Sequence, residues 1–377
     1  MTPEGRRRPV DNDRHHRERG WDYLGRGIYH ITLNVVDHYP LFGRLEGEGE
    51  EARVVLNAFG EQVLQRLLDT PRIYGERGYA LKLLATQVMP DHIHIAIQAL
   101  EPLPQSIGQV VRGFKSACTS IYKREYYCPN DGTRMQRGRS CPNDGTRMQR
   151  GENTMHFSRI FTRTGTIWEQ IPEHYHERIL HGDENQLNRM IQYIKDNPRR
   201  AAIKRANPDL FKIQEEIEHN GAQMRVMGNR FLLDWPMKEA LSCSRTLTAE
   251  EIAVKRGECL EKAEEGTVFV CAAISEGEKQ ICRALREAEY PLVVLLAEGF
   301  PNEDNPHYKY YKPSGVYFEA CAAGKLLLVE PAAEELERPE IEAKVYAKAG
   351  EIAHEAKRYR FLAMNGVAEK IAGKLSQ

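Results

Sequence analysis

The string that most constrains this chain is Met89-Pro90-Asp91-His92-Ile93-His94-Ile95. Its second half alternates imidazole with isoleucine, and in a β-strand residues i and i+2 point to one face. A strand over His92–Ala99 therefore presents His92 and His94 side by side, with Ile93 and Ile95 packing into a core behind them. The strand-like run Ala80–Val88 lies just before it, and Pro90-Asp91 between the two is turn chemistry, so the pair reads as a hairpin or a tight bend. Two adjacent imidazoles are a metal-ligand geometry. The same spacing also occurs in strands that bind nothing, so the pattern alone leaves both readings open.

The flanking segments supply the rest of a mixed layer. Gly27–Val36 reads as a strand, Val55–Leu68 as a helix, and Ser106–Tyr122 as a helix with Ile107, Val110, Val111, Phe114 and Ile121 on its apolar face. Strand character returns over Ile167–Leu180. Asp183–Asn197 is helical, with Leu187, Met190, Ile191 and Ile194 on one face and Asp183 or Asn185 as cap, and Asn197-Pro198 is its natural stop. Met224–Leu233 adds a strand, and Thr246–Glu250 opens a new helix. Beyond Thr267 the pattern changes: TVFVCAA, a helix through Cys282–Glu289, PLVVLLA, a helix near Val316–Ala323, then KLLLVEP. Strands apolar on both faces and alternating with helices read as a parallel α/β layer. The 377 residues thus divide into a basic disordered tail over 1–21, an α+β domain over 22–240 and a smaller α/β domain over 250–377, with the boundary near 240–266.

Several classes are excluded at this level. No apolar run approaches the ~20 residues of a membrane span; the longest strong one is Pro291–Ala297. The first 20 residues are charged and lack the apolar stretch of a secretory signal. Eight cysteines, none in a C-x-x-C pair, fit a reducing, cytoplasmic protein. The segment CPNDGTRMQRG at 128–138 recurs unchanged at 141–151. Two polar copies are too few for a solenoid; they read as a duplicated surface loop or, less simply, as a metal knuckle with one Cys per copy.

Together, Tyr29-His30-Ile31-Thr32, Met89-Pro90-Asp91-His92-Ile93-His94, Gly113-Phe114-Lys115-Ser116, Trp168, His176-Glu177-Arg178-Ile179-Leu180 and Tyr193-Ile194-Lys195-Asp196-Asn197-Pro198-Arg199-Arg200-Ala201 resemble the HUH single-tyrosine transposases, in particular the REP-associated tyrosine transposases. The resemblance covers roughly residues 22–205. Asp91 departs from it, because the family usually carries Asn there, and the 128–151 insert interrupts the usual spacing. The resemblance implies a ferredoxin-like or palm-like antiparallel sheet with helices on one face. It assigns Tyr193 as nucleophile, His92 and His94 as metal ligands and Asn197 as a third ligand through its amide oxygen. Tyr193 and Asn197 stand at i and i+4, hence on one helix face. Two imidazoles and an amide oxygen leave open positions that suit Mg²⁺ or Mn²⁺ shared with a phosphate. A tyrosine hydroxyl is a poor nucleophile unaided, so metal proximity and orientation would have to activate it. The implied reaction is cleavage of hairpin-bearing single-stranded DNA through a 5′-phosphotyrosine. Without the resemblance, Tyr193 reads as a core tyrosine with its hydroxyl at the rim. Tyr122, Tyr126 and Tyr127 lack a ligand-type residue at i+4.

Net charge is −1 overall, but residues 1–250 carry +4 and residues 251–377 carry −5. Between 104 and 163 eleven Lys and Arg face four Asp and Glu. Arg112, Lys115, Lys123, Arg124, Arg199 and Arg200 are the candidate phosphate contacts, or else cations of ordinary solvated helix faces. Tyr29 or Trp168 could stack on splayed bases. The last domain is loosely similar to the Rossmann-like module of DNA-processing and lysine-decarboxylase-like proteins. There Ile274-Ser275-Glu276-Gly277-Glu278 and Lys312-Pro313-Ser314-Gly315 are turns of the kind that bind anions at a helix N-terminus, though no G-x-G-x-x-G or Walker motif is present. Three functions therefore stand: a metal-dependent strand transferase, possible as a homodimer; a domesticated, non-catalytic binder of DNA hairpins; and a nucleotide-sensing C-terminal module.

Overall fold

The computed structural model describes residues 22–127, 157, 161–169, 175–180, 184–297, 299–300, 316–336 and 352–373. The tail, the duplicated segment and the turn at 312–315 lie outside the described residues. The chain divides into two units between Ile203 and Lys204.

The first unit opens with β1 (Gly27–Asn34), a two-stranded ribbon of β2 (Gly43–Glu46) and β3 (Arg53–Leu56), and helices α1 (Ala58–Leu68) and α2 (Thr70–Gly75). The helix expected from Val55 starts three residues late because Val54–Leu56 pair with β2. Asn57 caps it, accepting from the Gly60 N–H at 2.8 Å. The expected hairpin follows as β4 (Leu81–Val88) and β5 (His92–Ala99), then α3 (Ile107–Glu125), β6 (Tyr175–Leu180), α4 (Glu184–Lys195) and α5 (Asn197–Ala206). The main sheet has the order β4-β5-β1-β6 with every pair antiparallel. Its β-α-β-β-α-β path is that of a split β-α-β fold.

One expectation is corrected here: the helices do not all cover one face. Tyr29, Ile31 and Leu33 of β1 and Ile93, Ile95 and Ile97 of β5 share a core with Phe59 and Val63 of α1 and with Ile107, Val110, Val111 and Phe114 of α3. The alternate residues His30, Thr32, His92 and His94 face the other way, and α4 packs on that side against β4 and β5. An alternating strand has two unlike faces, and both are covered. Gly113 of α3 is needed for close packing, since a Cβ there would lie 1.9 Å from the Tyr74 hydroxyl oxygen.

The second unit begins earlier than the boundary expected near 240–266. Its sheet has the order β7-β8-β12-β11-β10-β9 and takes in β7 (Gln214–His219), β8 (Ala222–Gly228) and β9 (Lys238–Leu241). β8 runs antiparallel to β12 (Leu326–Pro331), while β9, β10 (Val268–Cys271), β11 (Leu292–Leu295) and β12 are mutually parallel. Long-range pairing holds β9, a four-residue KEAL, in place, and local pattern cannot reveal that. The connecting helices are α6 (Ala249–Glu264), α7 (Glu276–Glu287) and α8 (Val316–Ala322); α9 (Ala333–Leu336) and α10 (Ile352–Ile371) follow β12. Thr248 and Glu251 form a capping box at the start of α6.

This sheet is apolar on both faces, as its continuous hydrophobic strands require. Phe269, Cys271, Leu292, Val294 and Leu328 pack with α6 and α7, whereas Val268, Val270, Val293, Leu327 and Val329 pack with α10. All six cysteines among the described residues are free thiols and buried. Burial pushes Cys118 up to about 12 and Cys259 and Cys321 up to about 11. A hydrogen bond with Cys282 and burial raise Cys271. They are core residues held as thiols rather than thiolates. Among the described residues, no helix is long and apolar enough to cross a membrane.

Candidate functional site

The histidine face of the first sheet is built by register. β1 and β5 pair Thr32 with His94, His30 with Ala96 and Asn34 with His92. His92 and His94 stand side by side, their ring centroids 4.9 Å apart and nearly perpendicular. His94 is buried; its Nδ1 lies 3.0 Å from Thr32 Oγ1 and 3.2 Å from His30 Nε2. His92 is partly exposed, and its Nδ1 lies 2.7 Å from Asp91 Oδ1. Burial opposes ionisation of Asp91, but the His92 hydrogen bond and the neighbouring His92 and His38 imidazoles outweigh it, holding the carboxyl below its ordinary value.

Helix α4 brings Tyr193 over this face. Its ring centroid lies 5.6 Å from that of His94 and 6.2 Å from that of His30, edge-on to both. Ile194, one residue on, is fully buried and anchors the helix. The helix ends at Lys195, as Asn197-Pro198 implies, yet a second helix starts at once. The bonds Asp196 N–H to Gln192 O and Arg200 N–H to Asp196 O carry the ladder across the corner. Asn197 is buried at that corner and donates from Nδ2 to the Tyr193 carbonyl at 2.8 Å. That commits the amide nitrogen and leaves Oδ1 as its donor atom for a ligand.

The expected cations separate into two groups. Arg112 and Lys123 are exposed on α3; Arg124 is exposed and pairs with Glu125 at 2.5 Å. Lys115 is half-buried and donates to the Glu169 carbonyl at 3.2 Å, and desolvation lowers its pKa. Arg199 pairs with Asp196 at 2.6 Å and with Glu50 at 3.6 Å. Arg200 is buried, with its guanidinium 5.3 Å from the centre of the Tyr193 ring. Lys115, Arg199 and Arg200 thus have partners within the fold.

The two aromatics suggested as base platforms are also corrected. Tyr29 is 0% and Trp168 1% exposed, and Trp168 Nε1 donates to the Lys115 carbonyl at 3.0 Å. Both are core residues: odd-numbered β1 positions such as Tyr29 face α3, and Trp168 packs with Phe42 and Phe114. Tyr122, Tyr126 and Tyr127 pack with Phe59 and Phe161 in the same core.

Sequence reasoning passed over His30 and Thr32 as site residues. The signal was present: Tyr29-His30-Ile31-Thr32 carries the same alternation as the His-Ile string, and antiparallel pairing aligns the two. His176, part of the motif that carries the resemblance, occupies β6 directly opposite Thr32 in register.

The donor set fits a divalent cation. Both imidazoles meet a protein partner through Nδ1, and two imidazoles with the Asn197 amide oxygen are donor types that suit such a cation. Among the described residues, no group of three or more His, Cys, Asp or Glu is arranged to hold a metal by itself.

In the second unit, the expected anion site at the start of α7 is filled from within. Glu278 is 2% exposed; its carboxylate accepts from the N–H groups of Cys243 at 3.0 Å, Ile274 at 2.7 Å and Ser275 at 3.1 Å, and Ser275 Oγ accepts from the Glu278 N–H. In this turn the N–H groups of Ile274 and Ser275 already hold a carboxylate.

No family model matches the chain, and no curated protein matches it. Among solved structures it is similar to a proposed transposase from Deinococcus radiodurans R1 at 16% identity, over 48% of this chain and 95% of that one, with a TM-score of 0.23. At that score no residue role transfers.

Proposed function

We propose that the first unit is a metal-dependent strand transferase acting on single-stranded DNA with hairpin or palindromic elements, of the HUH single-tyrosine transposase type. The observation that carries this reading is the position of Tyr193, edge-on to His94 and His30 at the mouth of the histidine face. A tyrosine delivered to a face of imidazoles, with Asn197 at the corner just beyond its helix, has the residue types phosphoryl transfer needs.

In this reading His92, His94 and Asn197 hold Mg²⁺ or Mn²⁺. When bound, the cation supplies Lewis-acid polarisation of the scissile phosphate and neutralises developing charge. The chain's own residues do the rest. Tyr193 Oη attacks phosphorus as its proton passes to water or an imidazole, the P–O3′ bond breaks, and the leaving 3′ oxygen takes up a proton. The stored 5′-phosphotyrosine can be resolved by another 3′-OH without ATP. Arg200 steadies the Tyr193 ring from its far side. Arg112, Lys123 and Arg124 guide the strand by phosphate contact.

The second unit reads as a Rossmann-like module, with four parallel strands in chain order and helices between them. The Glu278 plug speaks against nucleotide binding at α7. A merely DNA-binding descendant of the family has no observation of its own in its favour.

The test is a single-stranded hairpin oligonucleotide labelled at its 3′ end, the end that stays on the protein, and incubated with the protein and Mn²⁺. A denaturant-resistant adduct is expected with the native chain and none with Tyr193→Phe or with chelator. An adduct that persists in Tyr193→Phe would falsify the assignment.

A further inference from the structure

We infer that Asp91 is a positioning residue that fixes the tautomer of His92, so that its Nε2 faces the cation; this rests on the metal reading above. The carboxylate lies 2.7 Å from His92 Nδ1, which makes Nδ1–H the bound tautomer and Nε2 the lone-pair nitrogen. The partners of His94 are different in kind. Its Nδ1 meets the neutral Thr32 hydroxyl and the His30 imidazole. His92 is thus oriented by a carboxylate, and an anionic partner makes an imidazole a stronger donor to a cation.

A second observation bears on Asp91. Its other oxygen, Oδ2, lies 3.4 Å from His38 Nδ1. His38 reaches it from a turn in which Asp37 and His38 take φ of 56° and 48°, a backbone region that residues with a Cβ enter at a cost. The Asp91 carbonyl also receives the Val35 N–H at 2.8 Å, tying the bend between β4 and β5 to the end of β1. His38 thus meets the carboxylate at its other oxygen, and Val35 holds the backbone of Asp91. An amide at position 91 could still accept from His92, but it would bring no charge and would have to be held in one of two flips.

The experiment uses the full chain at a pH above the imidazole range. Long-range ¹⁵N–¹H spectra read the His92 tautomer without metal, and calorimetry reads Mn²⁺ affinity for the native chain, Asp91→Asn, Asp91→Ala and Thr32→Val. Native His92 is expected as the Nδ1–H form. Asp91→Ala should give a mixture of tautomers and weaken Mn²⁺ binding roughly 10–100-fold, with Asp91→Asn recovering part of the loss and Thr32→Val losing less. Circular dichroism establishes that each variant is folded; if Asp91→Ala is not, Asp91→Asn alone must still show a loss of affinity. His92 remaining Nδ1–H in Asp91→Ala, or both Asp91 variants binding Mn²⁺ like the native chain, overturns the inference. A native chain that binds no Mn²⁺ but shows the tautomer change sinks the metal reading and leaves the orienting role standing.

Discussion

The first unit's sheet buries Ile31, Leu33, Ile93 and Ile95 beneath α1 and α3 and turns His30, Thr32, His92 and His94 to the other side. The second unit's sheet buries Phe269, Cys271 and Val294 on one side and Val268, Val270 and Val293 on the other. Two of their carboxyl groups differ in the same way. Asp91, part-exposed, meets the imidazole of His92, whereas buried Glu278 closes a loop on three backbone N–H groups. The contrast teaches that polar side chains in an otherwise apolar layer do one of two things: they line a place where something else can come, or they satisfy the chain's own backbone. Hydrogen-bond partners tell the two apart.

The largest effect that can break this contrast lies in the strands. Ile93→Ala should cost ~2–5 kcal/mol of the first unit's stability in urea unfolding. His92→Ala, on the opposite face and partly exposed, should cost under about 1 kcal/mol while abolishing adduct formation. In the second unit, Val270→Ala and Leu328→Ala point to opposite faces and should both destabilise by more than about 1 kcal/mol. If one of that pair proves silent, the second sheet also has a working face.

Next in size is Glu278→Ala. It strips acceptors from the N–H groups of Cys243, Ile274 and Ser275, at ~1–3 kcal/mol for each left buried and unsatisfied. Their amide hydrogens should exchange faster by two orders of magnitude or more, with a milder effect in Glu278→Gln. Unchanged protection would mean that the carboxylate is not what closes the loop.

The smallest effects are on the surface. Arg112→Ala and Lys123→Ala should leave stability within about 0.5 kcal/mol. Each should lower the dependence of single-strand binding on log salt by about 0.7. Arg199→Ala and Arg200→Ala, whose side chains are engaged in the fold, should instead disturb Tyr193 and the adduct yield. Equal salt slopes for all four variants would erase the distinction between surface and site cations.

The sequence exposed the parts of the molecule that are local and periodic. The His-Ile alternation, the Pro-Asp bend, the α3 stripe and the double-faced strands β10 to β12 all stand where their patterns put them. What it concealed depends on contacts far apart in the chain. β9 is four unremarkable residues until it pairs with β10, so the boundary fell some 40 residues late. Arg200 looks like any exposed cation of a basic run until the corner at Asp196 turns it onto Tyr193. Glu278 looked like one residue of an anion-binding turn, because a string of letters does not say whether its own carboxylate takes up the N–H groups. His30 was legible but was overlooked, since its partner strand had to be aligned before its face could be known.

The pairing of β1 with β5 carries one more consequence. A shift of register by one residue would turn every side chain of the moved strand over, placing His92 and His94 among the isoleucines and Ile93 and Ile95 beneath Tyr193. The alternation therefore works as a parity check on folding: a mis-threaded hairpin buries two imidazoles and loses its core in the same error. A chain that has folded to a stable first unit has already verified the orientation of its histidines.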